Sequence, residues 1–107
     1  MLKATIFATS LLWSGAAVAQ SDLELMQTAE NLGTLLASEG MCDLAYNQNS
    51  IEAFIDENVP TSRMEFPSNL KSAVMLAEFS LSDITESEKT AHCRAVENAA
   101  RHYRFID

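Results

Sequence analysis

Apolar positions along the chain recur at helical spacing in four stretches. Leu25, Ala29, Leu32 and Leu36 fall at i, i+4, i+7 and i+11 behind Ser21-Asp22-Leu23-Glu24, a capping box whose hydroxyl and glutamate serve the first free amides. With Gly40 as the stop, the spacing predicts a first helix over 22–39. In the second stretch Leu44, Gln48, Ile51 and Ile55 share a face. Asp43 is one candidate start; because Asn47-Gln48-Asn49-Ser50 interrupts the pattern, Ser50 is the other, and Pro60 bounds the helix. Residues 61–67 read as a connection, and Ser68 is placed to cap a third helix running to about Leu81. There Leu70, Val74, Ala77 and Leu81 form one stripe, and Met75, Leu76 and Phe79 a second on a different side. Thr85-Glu86-Ser87-Glu88 is another capping box, followed by Cys93, Val96, Ala100 and Tyr103 at i, i+3, i+7 and i+10. The fourth helix is expected over 86–104, with Cys93 on its core face. No alternating run predicts a strand. The expected fold is all-α, a small four-helix up-down bundle with short connections.

The first residues read as an address. Lys3 supplies a positive start, Ala4 to Trp13 an apolar run, and Ser14-Gly15-Ala16-Ala17-Val18-Ala19 a small-residue stretch ending in A-x-A. Residues 1–19 are therefore expected to be a signal peptide and residues 20–107 a single helical domain. The run is too short for the roughly 20 apolar residues that span a bilayer, and Ser14-Gly15 interrupts it, so no stable membrane anchor is expected. No cysteine sits at the cleavage point to carry a lipid. The expected location is periplasmic or secreted.

Cys42 and Cys93 both lie in the exported part, where an oxidising compartment favours a disulfide. A bond across their separation of 51 positions destabilises the unfolded chain by about 4 kcal/mol in the loop-entropy account. There is no C-x-x-C, and His92 is the histidine beside a cysteine, so the pattern predicts neither a redox pair, nor a zinc site, nor any other metal or cofactor.

Seven Lys and Arg stand against 15 Asp and Glu, a formal charge of −8 that argues against nucleic acid or an anionic membrane as the main partner. Residues 20–60, which run through Asp22, Glu39 and Glu57, hold no Lys, Arg or His. The opposite charge clusters on the last helix, where Arg94 and Arg101, with Arg104 close by, lie opposite the core stripe. That face is either solvated or docked against the acidic N-terminal half.

Catalysis finds little support. His92 and His102 are ten positions apart, about 80° around a helix, and do not converge. No phosphate loop, H-E-x-x-H, G-x-S-x-G or calcium-loop pattern is present, and the chain is not expected to be an enzyme. Met64, Phe66, Met75, Leu76 and Phe79 are an excess of apolar surface, either ordinary core or an adaptable protein-binding patch. The expectation is a small exported protein acting by protein contact, as an accessory subunit or inhibitor-like binder. Its plan of leader, short helical body and two cysteines resembles that of the periplasmic acid-stress chaperones. The alternative expectation is therefore a periplasmic acid-stress chaperone, and the composition offers a physical route to it: protonating the 15 carboxylates would leave the chain strongly cationic, and self-repulsion would expose its apolar faces.

Overall fold

The structure is a computed structural model that describes the backbone from Ile6 and the side chains from Asp22 to Asp107. Four helices build it, α1 (Ile6–Ser38), α2 (Gln48–Asn58), α3 (Phe66–Leu81) and α4 (Glu86–His102), with no strand among the described residues. The all-α, four-helix fold is the expected one, and Cys42 is bonded to Cys93 with the Cα atoms 5.3 Å apart. The expected leader, residues 1–19, lies outside the residues described at side-chain level. The α1 backbone runs unbroken through Ser21, so the helix expected from Asp22 is the second part of a longer one.

Contacts along α1 fix the direction of the other three. Arg63, just ahead of α3, pairs with Asp22; Gly33 abuts Ala73; Ala37 and Met41 share a cleft with Leu81 and Ser82. α3 therefore runs parallel to α1. α4 runs the opposite way, since Ser38 meets His92 in its second turn while Thr28 and Leu32 lie near Tyr103 and Phe105 beyond its end. α2 starts beside Leu35 and Phe105, through bonds from Tyr46 and Asn47, and Phe54 then reaches the level of Thr28. The order is up-down-up-down, and the parallel pair α1 and α3 makes the closest approach. Gly33 permits it: a Cβ there would sit 2.6 Å from the Ala73 Cβ. Among the described residues α3 packs its backbone closely against no helix but α1.

The core follows the predicted stripes at Ala29, Leu32, Ile51, Val96 and Ala100, and adds Leu35 and Phe66, which lie off them. Ala29, Leu32 and Leu35 of α1 are buried against Val96 and Ala100 of α4, with Ile51 and Phe66 from α2 and α3. Each fully buried large side chain contributes about 1.5–3 kcal/mol. An aromatic cluster closes one end: Phe54 meets Tyr103 edge-on at 5.1 Å, and Phe105, fully buried, lies 5.8 Å from both Phe54 and Tyr46.

Several boundaries move, for local reasons. Gly40 is not in the left-handed region; the chain makes one further turn, and Asp43 (φ 57°) takes that conformation. Leu44 N–H then bonds Glu39 O at 2.9 Å and Asp43 N–H bonds Gly40 O at 3.1 Å, the paired closure of a helix end. Asn47 caps α2 by accepting from Ser50 N–H, so the polar tetrad that weakens the apolar pattern is the helix start. α3 begins at Phe66 with Pro67 in its first turn, ahead of the expected Ser68 cap. The capping box at Thr85 and Glu88 forms as read, at 2.8 Å and 3.2 Å. α4 ends two residues before Arg104, which turns left-handed (φ 65°) and lets Phe105 N–H reach Ala100 O at 2.8 Å.

Candidate functional site

Leu70, Ala73, Val74, Ala77 and Leu81 are each half-buried on the side of α3 that faces α1. At 100° per residue, Met75 and Phe79 point almost directly away from that stripe, one turn apart, with Leu76 beside them. They are 60%, 80% and 68% exposed, respectively. The second stripe of the sequence is thus the outer surface of the fold rather than core. Exposed Met64 precedes α3 in the α2–α3 connection. Phe66 takes the other of the two readings: at 5% exposure it belongs to the core, at the start of α3, where it shares a cleft with Leu25 and Met26 of α1.

Leu23 and Met26, which the sequence did not single out, are also exposed, at the start of the part of α1 described at side-chain level. The signal was available, since both lie off the Leu25/Ala29/Leu32/Leu36 stripe. Met26 lines a cleft of about 250 Å³ with Asp22, Arg63, Glu65 and Asn69. Arg63 Nη2 donates to Asp22 Oδ1 at 2.6 Å and Nη1 to Glu65 Oε2 at 3.3 Å, and these two carboxylates hold the Arg63 guanidinium above its usual pKa.

The basic face of α4 does not dock on the acidic half. Arg94, Arg101 and Arg104 are exposed. Arg101 bonds Glu97 at 3.0 Å, one turn away on its own helix, and its Nε donates to Asp107 O at 3.3 Å. Such a pair contributes only a few tenths of a kcal/mol. Among the described residues the ion pair joining the two halves of the chain is Arg63 with Asp22.

One polar contact had no sequence signal. Ser38, fully buried, donates its hydroxyl hydrogen to Thr34 O at 2.7 Å and lies 2.8 Å from His92 Nε2. A hydroxyl has one hydrogen, so with Thr34 taking it His92 Nε2 must be the donor. That is the reverse of a base activating a serine, and the buried oxygen is closed to any substrate. The pair is structural: it locks α1 to α4 beside the disulfide. Tyr46 forms the neighbouring lock. Glu39 N–H turns to Leu36 O, Tyr46 Oη donates to the freed Leu35 O at 2.8 Å, and Tyr46 N–H bonds the Glu39 carboxylate at 2.7 Å. Burial, aided by the Glu39 charge, pushes the Tyr46 phenol up to about 12.

Among the described residues no three of His, Cys, Asp or Glu converge to hold a metal ion, and no helix is long and apolar enough to cross a membrane. In comparisons with known proteins, no family model, no curated protein and no solved structure matches the chain.

Proposed function

We propose that the protein is an exported helical domain, periplasmic or secreted, that works by protein contact as an accessory subunit or inhibitor-like binder, with the outer face of α3 as its contact surface. One observation carries the reading. Met75, Leu76 and Phe79 stand together, exposed, on a helix that among the described residues packs closely on no helix but α1. Covering each would return about 1.5–3 kcal/mol of burial, and clustered exposed apolar residues mark interaction sites. Export is supported by Lys3 and the Ala17-Val18-Ala19 ending of the leader, and by a disulfide of the kind that persists in oxidising compartments. The acid-chaperone alternative needs low pH to uncover apolar surface, whereas this face is uncovered in the folded chain.

The test places a photoreactive benzoyl-phenylalanine at position 79 in an exporting host. The reading expects a crosslinked protein that is absent when the probe sits at Glu52 on α2. Crosslinks of equal yield from both positions, or none from position 79, would contradict it.

A further inference from the structure

The outer face of α3 has more order than an apolar patch. Ser68, Ser72, Met75 and Phe79, all exposed, follow one another at steps of four, three and four, the 3.5-residue seam on which two helices pack side by side. The seam is graded, with two small residues in its first half and two large ones in its second. Lys71 and Glu78 are seven positions apart on one flank, both exposed and without an ion-pair partner among the described residues. Leu76 covers the opposite flank.

This arrangement is complementary to itself when reversed. Laid antiparallel on a second α3, Phe79 comes over Ser68 of the second copy and Met75 over Ser72 of the second copy, and the two-fold axis repeats both contacts. In antiparallel helix pairs like flanks meet, so Lys71 falls beside Glu78 of the second copy and Glu78 beside its Lys71. A cationic foreign helix would satisfy Glu78 but repel Lys71; a second copy satisfies both. We infer that the occupant of the α3 face is a second copy of this chain, joined through an antiparallel α3–α3 seam with reciprocal Lys71–Glu78 pairs. The inference rests on the reading of this face as a contact surface and names what covers it. One 16-residue helix per copy is a small interface, and two negatively charged chains repel, so the dimer is weak and concentration-dependent. A foreign partner on this face would have to displace the second copy.

Sedimentation equilibrium on the oxidised protein, from micromolar to millimolar, tests it. The weight-average mass should climb from one chain towards two. Glu78→Lys should move the midpoint to at least about tenfold higher concentration by setting Lys against Lys, and Lys71→Glu combined with Glu78→Lys should return it to near the starting value. Phe79→Ser should abolish association while circular dichroism stays unchanged. A monomer throughout, or a dimer indifferent to Phe79→Ser or not restored by the charge swap, would overturn the inference. If the protein stays monomeric while position 79 still crosslinks a foreign protein, the self-association fails and the contact surface stands. If neither is seen, both fail.

Discussion

Gly33→Ala probes the contact that shapes the fold. Taken alone in a helix, the change is favourable by about 1 kcal/mol, because alanine has the higher helix propensity and loses less backbone entropy. Against this, the new methyl would lie 2.6 Å from the Ala73 Cβ, 3.0 Å from its carbonyl carbon and 3.1 Å from Val74 N. Carbon atoms at rest sit about 3.5–4.0 Å apart, so α3 must retreat by roughly 1 Å. Two of the three obstructing atoms are backbone and cannot rotate away, which puts the overpacking cost near the upper end of about 1–3 kcal/mol. The net expectation is destabilisation by about 1–2 kcal/mol, a Tm lower by about 5–10 °C. Because among the described residues α3 packs closely on no helix but α1, native-state hydrogen exchange should show protection falling in α3 first. Amides of α4, tied to α1 by the disulfide and the Ser38–His92 bond, should hold. A variant as stable as the parent or more so, with α3 protection unchanged, would refute the close α1–α3 crossing.

Asp43→Gly should raise the Tm by about 4–8 °C, from roughly 1 kcal/mol gained by freeing a left-handed position and removing an anion from a helix C-terminus. Absorbance at 295 nm should find one of the two tyrosines ionising at about 12. With that pKa raised above its unfolded value, stability is fully present below about pH 10 and falls as pH rises through 12. Tyr46→Phe should remove that slope and cost about 1 kcal/mol for the bond to Leu35 O; an unaltered slope would place the ionisation elsewhere. Reducing the Cys42–Cys93 bond should destabilise the domain by about 4 kcal/mol in denaturant titration, and an unchanged midpoint would deny it a stabilising role.

What the sequence disclosed and what it hid divide by range. The Thr85–Glu88 box, the Val96/Ala100 stripe and the limit at Pro60 depend on neighbours within a turn or two, and all three are visible in the residue order. Asn47 is local too, yet a run of polar residues reads as interruption until its side chain is seen capping α2. Gly33 was invisible because its reason to be glycine is Ala73, forty positions away, and a mid-helix glycine alone predicts only a weaker helix. Ser38 and His92, 54 positions apart, belong with it. The Met75/Leu76/Phe79 stripe was legible as apolar, but exposure depends on which helices flank α3, and that is set by the closeness of α1 and α3. Phe66 could not be told from the exposed members of its set for the related reason that the start of α3, rather than residue type, decides which way its ring turns.

The proposed contact surface requires the outer face of α3 to be open in the lone chain and covered in its complex. Peroxide oxidation of individual methionines, read by mass spectrometry, measures this directly. In dilute protein Met75 should oxidise about as fast as exposed Met26 and Met64. In concentrated protein, or with a crosslink-identified partner, Met75 alone of the three should slow severalfold. Met75 slow in dilute folded protein, or equally fast under every condition, would contradict it.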